Sequence, residues 1–166
     1  MKKYVFIVMV ILMAAFCFCG CHQDKIDGFW GLKFGESKAA VVNSLKKRFG
    51  EDMKLEDIKR GDVLIIKNVE FGGITFKNAF LSFSENKLYG GYFVTLIEYE
   101  DKDSAINIYS SIEANLRKKY GEPNKSDSAT VLDHKWGESN RTEVWLKLDE
   151  DNGKYVAISL SYEDYR

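Results

Sequence analysis

Hydrophobic and polar positions change their period several times along the chain. Residues 4 to 18 are unbroken apolar. Further on the spacing is helical: Val41, Val42, Leu45 and Phe49 share one face, with Ser37 placed to cap the start. A second stripe joins Ala105, Ile108, Tyr109, Ile112, Leu116 and Tyr120, behind Asp103 and Ser104, either of which can cap it. Each stripe ends in basic residues and then a glycine, Gly50 or Gly121, the combination that stops a helix.

After each helix the pattern becomes that of strands. Behind the first come Val63 to Asn68, Ile74 to Phe83 and Leu88 to Tyr99, with Ser84-Glu85-Asn86 turning the last two into a hairpin. Behind the second come Ala129 to Trp136, Glu143 to Leu148 and Tyr155 to Tyr162. Gly137 to Asn140 makes one connection, and Asn152-Gly153 predicts a type I′ hairpin turn. In the last strand Val156, Ile158, Leu160 and Tyr162 face one way, and Ala157, Ser159 and Ser161 the other.

The two halves also match in residue class. Leu45-Lys46-Lys47-Arg48-Phe49-Gly50-Glu51 corresponds to Leu116-Arg117-Lys118-Lys119-Tyr120-Gly121-Glu122, 71 residues later. The pattern predicts an α+β fold of two tandem αβββ units, about 29–100 and 101–166, with antiparallel sheet or sheets packed against two helices. One helix cannot cover both faces of a sheet, so the open face is either buried by the other half or left as surface.

The amino terminus is a targeting segment. Lys2 and Lys3 precede the apolar run, and Cys19-Gly20-Cys21 supplies small residues for a cut. The arrangement resembles a bacterial lipoprotein signal, in which the residue after the cut is a cysteine that receives lipid. Cys17 and Cys19 each follow a phenylalanine, too bulky for the position before the cut, whereas Cys21 follows Gly20. The resemblance therefore implies a signal peptide over 1–20, lipid attachment at Cys21 and a tether over 21–28. An uncleaved membrane anchor and an ordinary cleaved signal without lipid are the alternatives; all three export the chain. From His22 to Gly28 the tether spans at most about 25 Å, at roughly 3.3–3.6 Å per residue. The domain beyond it is thus expected to work beside a membrane.

Composition narrows the function classes. Without residues 1–20 the chain keeps 146 residues, enough for one domain with a real core. It then carries 22 basic against 25 acidic residues, a net charge of −3 that gives no electrostatic case for nucleic acid. All three cysteines lie at or before position 21, so the remaining domain forms no internal disulfide and no cysteine-ligated zinc site.

Catalytic, cofactor and metal residues are not identified. His134 is the one histidine in the fold, which excludes a histidine-pair metal site; the sequence gives no geometric support for a Ser–His–Asp set, and a lone strand histidine reads as structural or surface. Two acidic clusters stand out: Glu98, Glu100, Asp101 and Asp103 read as a helix N-terminus, and Asp149, Glu150 and Asp151 as a solvated hairpin tip. The second lacks the glycine and glutamate spacing of a calcium loop. Gly72-Gly73 and Gly90-Gly91 read as turns or bulges rather than a phosphate loop. Asp103-Ser104-Ala105 and Asp127-Ser128-Ala129 match a short O-glycosylation signal, which the cap accounts for at Ser104. Most aromatic residues are expected in the core or in cross-strand pairs. Tyr89, Tyr92, Phe93, Tyr99 and Trp145 are candidates for an exposed aromatic sheet face suited to a protein partner or a sugar ring.

Trp30-Gly31-Leu32-Lys33-Phe34-Gly35-Glu36-Ser37, then Val41, Leu45 and Phe49-Gly50, resemble the helix-opening motif of small lipoproteins in Gram-negative envelopes. Tandem helix-plus-sheet units resemble the β-lactamase inhibitor protein and the small lipoprotein of the outer-membrane β-barrel assembly machine. The resemblance implies a non-enzymatic envelope lipoprotein that binds a protein partner from the outer membrane, on its periplasmic face or at the cell surface. It transfers no binding residues. A glycan-binding surface lipoprotein is the second expectation, and a small carboxylate-dependent hydrolase the third.

Overall fold

Among the described residues, 25–50, 55–58, 62–124, 132–138, 141–151 and 153–166, the computed structural model has nine strands and two α-helices. In chain order they are β1 (Gly28–Phe29), β2 (Leu32–Lys33), α1 (Lys38–Phe49), β3 (Leu55–Ile58), β4 (Val63–Phe71), β5 (Ile74–Ser84), β6 (Lys87–Glu98), α2 (Lys102–Tyr120), β7 (Leu132–Gly137), β8 (Thr142–Asp151) and β9 (Tyr155–Asp164). Strands β3 to β9 form one antiparallel sheet in the order β3-β4-β5-β6-β9-β8-β7. The fold is α+β. Two meanders, β4-β5-β6 and β7-β8-β9, join through their last strands, paired from Gly90↔Glu163 to Glu98↔Tyr155.

Helix α1 forms where the spacing places it. Ser37 caps it by accepting a 3.3 Å hydrogen bond from the Ala40 amide, and the Gly50 amide closes it on the Lys46 carbonyl at 2.8 Å. Val41 and Leu45 are fully buried, while Phe49 stays partly exposed against the Trp30 ring. Helix α2 buries Ala105, Tyr109, Ile112, Leu116 and Tyr120, five of the six residues of its stripe. Its start differs from expectation. A 3₁₀ turn over Tyr99–Asp101 leads directly into Lys102, and Asp101 stands at the cap position without a side-chain bond. Asp103 and Ser104 therefore lie inside the first turn and cap nothing; the acidic cluster does fall at the helix N-terminus, where carboxylates suit the dipole.

The segment Trp30 to Ser37 does more than open a helix. Strands β1 and β2 pair as a two-residue hairpin whose turn residues, Trp30 (φ 59°) and Gly31 (φ 79°), are both left-handed. Tryptophan adopts this conformation only under constraint. Its ring packs on Phe49 and Phe93, and the Arg48 guanidinium donates to its carbonyl at 2.8 Å and lies over the indole.

Strands extend past their expected ends. Asn68 (φ 52°) breaks the alternation in β4, so Ile66 and Val69 both turn inward and pairing runs on to Phe71↔Ile74. Gly72-Gly73 forms the expected turn, with both residues at positive φ. Opposite Ser82/Phe83 the register shifts at Tyr89, a bulge immediately before Gly90. The β8–β9 hairpin departs from type I′: Asp151 pairs with Tyr155, leaving three residues in the loop instead of two.

The β5–β6 turn suggests an engineering test. Ser84 pairs with Lys87, so Glu85 (φ 50°) and Asn86 (φ 63°) make a two-residue turn with both φ positive. Glutamate there sacrifices about 1–2 kcal/mol relative to a residue at ease with left-handed backbone. Glu85→Asn is expected to raise stability by about 0.5–1 kcal/mol, read as a higher urea midpoint at constant slope. An unchanged or lower midpoint would contradict it.

Both helices and the β1–β2 hairpin pack on one face of the sheet, against a single buried cluster that includes Leu81, Phe93, Leu146, Ile158 and Leu160. The opposite face carries no helix among the described residues. Cys21 and the residues before it, including the expected signal, lie outside the described residues. Among those described, no helix is long and apolar enough to cross a membrane.

Candidate functional site

The uncovered face is organised by register. Ala157, Ser159 and Ser161 point to it from the central strand β9, while Val156, Ile158, Leu160 and Tyr162 are buried beneath. One row crosses the sheet as Glu56–Ile65–Phe80–Tyr92–Ser161–Trp145–Lys135, each residue paired with the next. Phe80 and Tyr92 touch, with ring centroids 6.0 Å apart. Beside them on β6, Val94 is part-buried and Leu96 is 43% exposed; Tyr92 is 42% exposed. The half built from β3 to β6 is thus mainly apolar and aromatic, with Ile65, Phe80, Tyr92 and Leu96 beside Glu56. The half built from β9, β8 and β7 carries small serines on β9 and charged side chains around Trp145 on β8 and β7.

Between the halves runs a shallow trough of about 290 Å³. Its floor is Ser159 and Ser161, small enough to leave space between taller neighbours. Tyr92 stands on one side, and Trp145, Lys147 and Asp149 on the other, with Glu163 at one end. Since adjacent strands lie about 4.8 Å apart, Tyr92 and Trp145, flanking Ser161, stand on backbones roughly 10 Å from each other.

Trp145 is held in place. Its indole N–H donates to Asp133 Oδ1, the Lys147 ammonium lies 3.8 Å from its ring centroid, and that of Lys135 lies 5.5 Å away. Lys135 also pairs with Glu143 at 2.7 Å. Asp133 is 8% exposed, and its other oxygen, Oδ2, is buried without a hydrogen-bond partner among the described residues. Such an acceptor is costly to leave unmade.

The sequence candidates separate clearly. Tyr92 and Trp145 come together on the open face. Phe93 does not: it is fully buried under the helices, because neighbours on a strand point to opposite faces. Tyr89 is exposed at the bulge, and Tyr99 is exposed on the 3₁₀ turn. Asp149 lines the trough instead of belonging only to a hairpin tip, and Glu150 pairs with Lys102. Asp127-Ser128-Ala129 lies outside the described residues.

His134 faces α2. Its Nδ1 is 2.7 Å from the Tyr109 hydroxyl and 3.4 Å from Glu113, which also binds Arg117 at 2.7 Å. Burial first, and then the Glu113 and Asp133 charges, push the Tyr109 phenol well above its ordinary value. This cluster fastens α2 to β7. Among the described residues, no group of three or more His, Cys, Asp or Glu could hold a metal ion.

The floor serines and Lys147 were not singled out as functional from the sequence. The available signal was the run Ala157, Ser159, Ser161 on the face opposite the buried stripe: small side chains at the centre of a wide sheet leave a depression. The chain matches no family model, no curated protein and no solved structure.

Proposed function

We propose that the protein is a lipid-anchored, non-enzymatic binding module of a bacterial outer membrane, tied to the lipid through Cys21, and that it meets a protein partner on the apolar half of its open sheet face. The observation that carries this reading is the uncovered face itself, with Tyr92, Leu96 and Ile58 each more than two-fifths exposed on a sheet whose other side carries both helices and the buried core. Exposed apolar side chains linked across one sheet face by the part-buried Ile65, Phe80 and Val94 are the ordinary mark of an interaction surface. The reading of two tandem αβββ units belongs to the same proposal. It is supported by a helix preceding each three-stranded meander and by the meeting of the meanders through equivalent last strands. Strand β3 has no counterpart in the second half among the described residues.

The anchor and the partner are tested separately. Two or three acyl chains on one cysteine give stable attachment at about 0.8 kcal/mol per buried methylene. Cys21→Ala is therefore expected to move the chain from the membrane to the soluble fraction, and full membrane retention would refute the lipid. For the partner, a photoreactive amino acid at position 96 in intact cells is expected to give one discrete protein adduct, lost with Ile58→Lys. An adduct only from a probe on the exposed side of α1 would place the partner on the helical layer instead.

A further inference from the structure

We infer that the trough between Tyr92 and Trp145 binds a short, uncharged oligosaccharide. The inference rests on the open face being a recognition surface, as proposed above, but not on a protein partner being there.

Three features of the trough select the ligand. First, it lies mid-sheet. The backbone groups of β9 are engaged on both sides, by β6 and by β8, so no edge is free and an extended peptide could not add itself as a strand. A ligand here must hydrogen-bond to side chains, which suits a molecule carrying hydroxyls around its whole perimeter. Second, the polar groups are mixed in sign: the Ser159 and Ser161 hydroxyls, the Lys147 ammonium and the Asp149 and Glu163 carboxylates. Two carboxylates against one ammonium disfavour a phosphate or another anion, while the lysine disfavours a simple cation. A neutral polyol can use every one of these donors and acceptors. Third, the walls are aromatic. Tyr92 offers its ring, and Trp145 the part of its indole that the Lys147 ammonium leaves uncovered, to the C–H surface of a pyranose, and the bond from Trp145 to Asp133 fixes the indole before a ligand arrives. At about 290 Å³ the trough is near the lower end of small-molecule sites, roughly 300–1,000 Å³, so a few sugar units fit and a long polymer would be gripped only locally.

The site carries its own optical probe. Trp30 and Trp136 are buried at 6% and 1% exposure, whereas Trp145 lines the trough. Tryptophan emission of the full chain, in micelles of a detergent without a sugar head group, reports occupancy. Cellotetraose, maltotetraose, mannotetraose and chitotetraose are the probes. At least one is expected to change the emission saturably below about 10 mM, with the same affinity by calorimetry. Trp145→Ala, followed by calorimetry alone, is expected to weaken that binding at least about tenfold. Ser161→Tyr, which fills the floor without entering the core, is expected to abolish it. Ile58→Lys, on the far edge of the apolar half, is expected to leave it unchanged.

No saturable response from any of the four sugars overturns the inference, as does equal binding by the Trp145→Ala and Ser161→Tyr chains with unaltered circular dichroism. The protein-partner reading fails independently, when position 96 gives no adduct. Sugar binding that disappears with Ile58→Lys but survives Ser161→Tyr would place the ligand on the apolar half and also overturn the trough.

Discussion

Gly91→Ala is expected to cost about 3 kcal/mol, a large fraction of the roughly 5–15 kcal/mol by which a domain is stable. The backbone at this position is ordinary strand, so the cost is steric. A Cβ built on Gly91 would sit 2.2 Å from the ring of Phe29, and the ring cannot swing aside. It stacks on Tyr162 with centroids 5.2 Å apart, meets Phe93 edge-on at 5.8 Å and leans on Phe34 at 5.9 Å. Interiors packed this densely pass the displacement from ring to ring. Gly90→Ala is the internal control: its nearest neighbour is the Tyr162 carbonyl at 3.2 Å, so it should cost less than about 1 kcal/mol. The pair also predicts non-additivity. Phe29→Ala alone removes about 3–5 kcal/mol of core packing, but Gly91→Ala added to it should cost almost nothing, since the clashing ring is gone. Urea unfolding of the four chains closes the cycle. Strict additivity would mean that Phe29 does not rest on Gly91.

Much of the fold was legible in the sequence. Helices α1 and α2, the six long strands and the two-sided pattern of β9 follow directly from spacing, because each rests on a long periodic run. The β1–β2 hairpin does not. It has two residues per strand, and its turn is held by the Trp30 ring and Arg48, contacts between residues distant in the chain. Strand β3, Leu-Glu-Asp-Ile, alternates too briefly to announce itself and exists as an edge paired to β4.

The site was legible in its ingredients and not in its assembly. Tyr92 and Trp145 stood out as candidates for an exposed aromatic sheet face, but nothing local says that they flank the same serine. That depends on β6 and β8 both pairing with β9, a long-range choice made by how the two meanders dock. Phe93 was misplaced for a local reason. It was grouped with its neighbour Tyr92, but consecutive residues on a strand face opposite ways, so with Tyr92 outward Phe93 is buried. Asp149 read as a solvated hairpin charge until pairing set it, with Lys147, along the wall of a trough.

Trp136 carries the second large effect, and it concerns how the helical layer is fixed to the sheet. It is 1% exposed on β7, and its indole N–H donates at 2.8 Å to the carbonyl of Gly121, the residue that terminates α2. One side chain thus fills the space under the end of the helix and supplies a donor for a carbonyl there. Nearby, Asn124 pairs with Lys135 by a 2.7 Å backbone bond, and the Asn124 side chain donates to the Gly137 carbonyl at 2.7 Å. Trp136→Ala is expected to cost about 4–5 kcal/mol, combining the cavity with the unpaired carbonyl, and to unfold a large share of the chain at 37 °C. Trp136→Phe keeps most of the volume but not the donor, so about 1–3 kcal/mol is expected. The two variants separate packing from hydrogen bonding. If Trp136→Phe equals Trp136→Ala, shape is irrelevant and the bond to Gly121 dominates; if it equals the parent, the bond contributes nothing. Amide exchange sharpens the test. With Trp136→Phe the protection should fall first in the last turn of α2, at Arg117 to Gly121, while the β6–β9 ladder keeps its protection. Uniform loss across both would mean that the helix end and the sheet unfold as one unit, and that Trp136 supports the whole fold instead of this one junction.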